Sequence, residues 1–264
     1  MQGRLMFHLV NIGFRVLVFL LIAAIFVWIY LERRTGTAHF LTGFKESLTE
    51  GISASELEMR GLQRLQGQME LSRIAAEGNN GTFFSSLEAR NVRCKMGLID
   101  GLIGVWRPGV IAIAKLDLDL RAGADDAESA ASMARVFFSD PKKIEIRSFD
   151  IAEANLRWGY SDRTQGSIES TKIKMQRVGD SWRLILKGGY LSQNWLSRVE
   201  VVELVVLCTP EEIIFEKADL RQGKGSIDLA GLRIKTGERP TVEGVAKIRS
   251  IPIENLTPVS THDY

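Results

Sequence analysis

The stretch VIAIAKLDLDL, residues 110–120, sets Val110, Ala112, Ala114, Leu116, Leu118 and Leu120 at every second position, with Lys115, Asp117 and Asp119 between the later ones. Successive side chains of an extended chain point to opposite sides, so the stretch predicts a β-strand with one apolar and one solvated face. The fold then turns on what lies beside that strand and what covers its even-numbered face. Before it, LEMRGL (57–62), GQMELSRIAAEG (67–78) and TFFSSLEARNVRCKMG (82–97) are strand-like and punctuated by glycine. After Lys143 strand-like segments of about 8 to 16 residues follow one another, turning at 163–166, 179–180, 209–210, 222–225 and 237–240. The expected fold is mainly β: a long, twisted antiparallel β-sheet made largely of consecutive hairpins, either groove-like or closed as a sandwich or barrel. Alternation changes parity within segments, as at Ile144/Ile146 against Phe149/Ile151, which predicts bulges and strong twist.

Helical patterns are few. GLIDGLIGVW (97–106) reads as an apolar turn or two, and DDAESAASMARVFF (125–138) as a helix with Asp125 and Asp126 at its start and Met133, Val136 and Phe137 on its apolar side. Phe40, Leu41, Phe44, Leu48 and Ile52 recur at spacings of three and four, the pattern of an amphipathic helix. Residues 12–31, IGFRVLVFLLIAAIFVWIYL, form a nearly uncharged apolar run of the length that crosses a bilayer. Trp28 and Tyr30 stand where an aromatic belt is expected, Arg33 and Arg34 follow, and Arg15 is near enough to the other end to snorkel. No small-x-small cleavage site follows the run, so a retained transmembrane anchor is expected. The charges on its two sides nearly balance and leave its orientation open. The chain thus divides into an N-terminal flank (1–11), a transmembrane helix (12–31), a juxtamembrane amphipathic helix (32–52), a first β-rich section with short helices (53–139), an antiparallel meander (140–258) and a tail (259–264).

Composition excludes several functions. Of 264 residues, 34 are Lys or Arg and 32 are Asp or Glu, giving a net charge of +2 without the basic stripe that nucleic acid requires. Cys94 and Cys208 lie far apart in sequence with no second ligand beside either, and are expected to be buried small apolar residues. His8, His39 and His262 form no cluster, so no metal or other cofactor is expected. There is no GxSxG, HExxH or phosphate loop, and the glycines of GKGSIDLAG (223–231) lack the helix start that dinucleotide binding needs. Asp117, Asp119, Glu145 and Glu169 alternate with apolar residues, as on a solvated sheet face. A non-enzymatic protein is expected.

Two readings of the apolar strand face remain. It is either an ordinary closed core or the floor of a groove for lipid acyl chains, with candidates Leu116, Leu118, Leu120, Leu184, Leu186, Val206, Ile227 and Leu229. A two-chain lipid carries about 30 methylenes at about 0.8 kcal/mol each, so shielding it from water is worth roughly 24 kcal/mol and needs no catalytic residue.

The amino-terminal anchor, the short helix and the glycine-punctuated hairpins WRLILKGGYL (182–191) and GSIDLAGLRIKTGERPTVEGVAKIRSIPIENL (225–256), with Gly231 inside a strand, resemble the AsmA-like, TamB-related proteins of Gram-negative envelopes, within the repeating β-groove group of bridge-like lipid transfer proteins. The resemblance implies a single-pass inner-membrane protein with its amino terminus in the cytoplasm and its body in the periplasm. It implies membrane phospholipid acyl chains as partners and a part in outer-membrane lipid homeostasis. Members are commonly much longer, so the chain reads as a short member or the membrane-proximal part of a longer bridge. The rival reading is an anchored structural or assembly module that presents an edge strand to an envelope protein.

Overall fold

The computed structural model describes residues 17–30, 38–65, 67–79, 82–95, 106–120, 134–138, 144–159, 165–193, 196–235 and 241–252. The chain forms two units, residues 1–44 and 45–264. In the first, residues 17–30 are helical and their large apolar side chains are exposed, Phe19 by 72% and Phe26 by 68%. They cover the middle and far end of the predicted anchor, including Trp28 and Tyr30, while Arg15, Arg33 and Arg34 lie outside the described residues. Among the described residues no helix is both long and apolar enough to cross a membrane.

Helix α1 (Ala38–Ile52) matches the predicted amphipathic helix. It ends where Ser53 takes a left-handed conformation (φ 56°) and the Ala54 amide returns to the Thr49 carbonyl at 3.0 Å. The chain then enters a sheet that among the described residues has fifteen strands: β1 (Glu56–Arg60), β2 (Gln63–Leu65), β3 (Gln68–Glu77), β4 (Phe84–Lys95), β5 (Ile111–Leu120), β6 (Ser148–Trp158), β7 (Gly166–Val178), β8 (Ser181–Lys187), β9 (Tyr190–Gln193), β10 (Leu196–Cys208), β11 (Glu212–Gln222), β12 (Gly225–Asp228), β13 (Arg233–Lys235), β14 (Thr241–Glu243) and β15 (Lys247–Arg249). The protein is mainly β, a long sheet with few helices, as expected. Its strands run β1-β3-β4-β5-β6-β7-β8-β10-β11-β12-β15, with β2 beside β3, β9 between β7 and β10, and β13 and β14 beyond β11.

Two expectations are corrected. The sheet is not wholly antiparallel, because β5 and β6 pair in parallel, Ile113 beside Ile151 and Leu118 beside Leu156. The connection between them is long and includes a helical turn at residues 134–138, which lets the chain return to the same end before pairing. The predicted helix at 125–138 is described only over that turn, and 97–106 lies outside the described residues except for Trp106.

Nor does the apolar, even-numbered face of 110–120 turn inward throughout. Val110, Ala112 and Ala114 are exposed while Ile113 is buried; from Leu116 onward the even positions turn inward. The cause is a break shared by successive strands. Inward residues stand three apart instead of two at Leu71/Ile74, Ala89/Val92, Ile113/Leu116, Ile151/Ala154, Ile168/Thr171 and Val201/Leu204. In β3, β4 and β5 the pairing register is the same on both sides of the break, so each strand carries its extra outward residue opposite that of its neighbour. Asn91 and Ser170 take positive φ at this line (51° and 55°). There too β8 gives way to β9 at Gly188–Gly189, and β1 to β2 at Gly61. At Ile151/Ala154 and Val201/Glu203 the break coincides with a register shift against the next strand, a bulge, which bends a sheet and increases its twist.

The twist brings distant parts together. Leu57, Ala76, Phe83 and Phe84 form a buried cluster against which Leu48 and Ile52 of α1, Leu118 and Leu120 of β5, and Val136 and Phe137 pack. Phe137 lies between Phe83 and Trp182, with ring centroids at 5.8 Å and 6.0 Å, and the Trp182 indole N–H donates to its carbonyl at 2.7 Å. Phe83 and Trp182 are therefore within about 12 Å of each other. In a flat sheet they would stand four strands and eleven positions apart, about 40 Å. The sheet is coiled enough for a strand end of β8 to meet the opposite end of β4 on one apolar side.

Candidate functional site

The eight candidate side chains fall into two groups. On β5, Leu116 stands between Ala89 and Ala154, Leu118 between Leu87 and Leu156, and Leu120 between Phe84 and Trp158. Leu118 and Leu120 pack against the buried cluster, so protein covers this group. The second group lies across β8, β10 and β12. Leu184 is cross-strand from Met175 and Val206, Leu186 from Ile173 and Leu204, and Ile227 from Leu220 and Ile248. Leu186, Val206 and Ile227 are buried; Leu184 and Leu229 are half-buried. Leu229 follows β12, its amide donating to the Ala218 carbonyl at 3.3 Å.

Around these strands the opposite face is apolar as well. Val205 pairs with Ile185 and Leu207 with Ile214, on the side away from Leu184 and Val206, and all four are half-buried. The run VVELVVLC (201–208) carries the signal, since it does not alternate, and a strand without alternation offers apolar surface on both sides. Reading one face at a time misses it.

Elsewhere the outward face is charged and cross-linked. Glu88 accepts from Arg90 at 2.8 Å and from Arg73 at 3.0 Å, and those guanidinium groups hold its carboxyl below the usual range. Lys115 bonds Glu153 at 3.0 Å and Asn155 bonds Asp117 at 2.7 Å, linking β5 to β6. Glu145 lies between Arg147 (2.6 Å) and Arg107 (2.9 Å), which hold it low against the opposing effect of burial. Glu203 is clasped by Lys187 at 2.8 Å and by Lys217, and the two ammonium groups bring its carboxyl down to about 2. Such carboxylates remain ionised and paired near neutral pH. A depression of about 350 Å³ opens on this face beside Glu58, Arg73, Glu88, Asp117 and Arg157. Cys94 and Cys208 are free thiols, pushed up to about 11 by burial, as expected of packing residues. Among the described residues no group of three or more His, Cys, Asp or Glu side chains is placed to hold a metal.

Comparison with protein-family models, with curated proteins and with solved structures finds no match to this chain.

Proposed function

We propose that the chain is an AsmA-like envelope protein, held in the inner membrane by residues 12–31 with its amino terminus in the cytoplasm, whose periplasmic β-sheet binds or conducts phospholipid acyl chains in support of outer-membrane lipid homeostasis. The observation that carries this reading is the pairing of two apolar surfaces. Residues 17–30 expose apolar side chains on nearly every side of a helix, a surface that water disfavours and a bilayer accepts. The apolar side of β7, β8, β10 and β11 continues from Ile173 and Leu186 to the half-buried Leu184, Met175 and Phe215, where a chain of methylenes has side chains to lie against. Binding of this kind uses burial of apolar area alone and leaves the charged face in water.

Native mass spectrometry of the full chain, purified in mild detergent, tests the reading against a Leu184→Asp variant. Leu184 is chosen over Leu186 because its half-burial lets a carboxylate reach solvent without unfolding the sheet. Stoichiometric phospholipid on the parent chain, lost from a variant with unchanged circular dichroism, is the expected result. A folded parent chain that carries no phospholipid overturns it.

A further inference from the structure

We infer that the two open edges of the sheet join copies of this chain head to tail, β15 of one copy pairing with β1 of the next. Among the described residues β1 pairs only with β3, and β15 only with β12. Each edge therefore presents backbone N–H and C=O groups that a further strand can satisfy.

The side chains on these edges are complementary. In β1 the order is Glu56-Leu57-Glu58, with Leu57 buried on the apolar side. In β15 it is Lys247-Ile248-Arg249, and Ile248 stands opposite buried Ile227, which sets it on the apolar side of its own sheet, where it is 44% exposed. Bringing the two apolar sides into line places Leu57 opposite Ile248. Both acids then face both bases: Glu56 with Arg249 and Glu58 with Lys247 if the strands run antiparallel, Glu56 with Lys247 and Glu58 with Arg249 if parallel. Pairing β15 with itself opposes base to base, and pairing β1 with itself opposes acid to acid, each unfavourable across a sheet. The contact is thus heterologous, and copies add in a row.

The charges are available for it. Among the described residues Glu56, Lys247 and Arg249 have no ion-pair partner, while Glu58 shares its carboxylate between Arg60 at 2.6 Å and Arg73 at 3.7 Å. Beside β15, Val242 and Val245 are exposed by 66% and 68%. A second copy is favoured over another protein because both halves of the match are carried by one chain. β15 has three residues, so one contact buries far less than the roughly 1,200 Å² of a stable interface. Association is accordingly weak in dilute solution, sensitive to salt and strengthened wherever chains are held close together. The inference stands on the edges and does not depend on lipid binding.

A Glu56→Cys variant of the full chain, purified in detergent, is mixed under mild oxidation at low salt with a Lys247→Cys variant, which faces it if the strands run parallel, and separately with an Arg249→Cys variant, which faces it if they run antiparallel, so that the new thiols are on different molecules. Of the native cysteines Cys94 is buried and Cys208 half-buried, and each variant oxidised alone gives their background. One of the two mixtures is expected to cross-link several-fold more than either of its variants alone, and high salt to suppress the difference. In sedimentation the parent chain is expected to form a concentration-dependent series, and a Lys247→Glu/Arg249→Glu chain or a Glu56→Lys/Glu58→Lys chain to remain monomeric. Mixing those two charge-reversed chains restores association. A parent chain that is monomeric throughout at low salt overturns the inference, as does cross-linking that in neither mixture exceeds that of its parts. Association unchanged by charge reversal also overturns it, because it then belongs to the apolar helix at residues 17–30.

Discussion

Replacing Trp182 tests the coiling of the sheet. Its indole is 4% exposed, meets the Phe137 ring edge-on at 6.0 Å and donates to the Phe137 carbonyl at 2.7 Å. Truncating a buried aromatic residue to alanine costs about 3–5 kcal/mol, and the lost hydrogen bond adds about 1 kcal/mol. Trp182→Ala should therefore lower the unfolding free energy by about 4–6 kcal/mol, a large share of the roughly 5–15 kcal/mol that holds a domain folded. Trp182→Phe keeps a ring against Phe137 and loses mainly the hydrogen bond and part of the area, about 1–2 kcal/mol. Val178→Ala, on the same hairpin but 48% exposed, should cost less than about 0.5 kcal/mol. Urea titration followed by circular dichroism at the strand minimum gives all three on the full chain in detergent. Spin labels at Glu77 and Asp180 give the geometry directly, since a flat sheet imposes roughly 45 Å between them and the coiled one a much shorter distance. A Trp182→Ala chain that loses less than about 2 kcal/mol, or labels at the flat-sheet distance, would refute the argument that Phe137 ties β8 to the far end of β4.

Two adjacent glycines should respond differently to alanine. At Gly189 (φ 80°) a Cβ would overlap the Glu169 carbonyl oxygen and stand 2.8 Å from the Thr171 nitrogen, whereas at Gly188 (φ 72°) nothing lies within 4 Å. Backbone strain of about 1–2 kcal/mol applies to both, and crowding of about 1–3 kcal/mol to Gly189 alone; equal losses in urea midpoint would show that the chain relaxes at this line. The Glu203 carboxyl, brought from 4.5 to about 2 by Lys187 and Lys217, stabilises the fold above pH 4.5, and this contribution is lost as pH falls through the window down to 2. Glu203→Gln should flatten the fall in urea midpoint across that window, less so at high salt; an unchanged slope would show that the clasp does not persist in solution.

The strands themselves are legible in residues 57–62, 67–78, 82–97 and 110–120 because each buries a face, and burial imposes alternation. What defeats the reading is the shared break. Asn91 is a residue type that tolerates positive φ, and Gly188–Gly189 is an evident interruption, but Ala114 and Ala152 carry no turn chemistry of their own. Each breaks step because the strand beside it does, and no window along one strand contains that information. The parallel pair is a different case. A helical pattern between two strands is the usual sign of a crossover, and DDAESAASMARVFF lies between β5 and β6. Counting that segment as an interruption of a meander conceals its topological consequence.

The same physics separates the two groups of candidate side chains. Leu116, Leu118 and Leu120 differ little in sequence context from Leu184, Leu186 and Val206, since each set lines one face of a strand. The distinction comes from Leu48, Ile52 and Phe137, distant in sequence, which pack with Leu118 and Leu120 on one buried cluster, whereas Leu184 has Met175 and Val206 as its cross-strand neighbours and Phe137 meets that second face at Trp182. A ligand competing for the first set must displace covalently attached side chains whose ordering was settled when the chain folded. Leu184 is half-buried and keeps part of its surface open to such a ligand. On the proposed function, the half-buried end of the β7–β8–β10 face is where an acyl chain would gain most from burial, and Leu184→Asp would report on binding there without disturbing the cluster beneath α1.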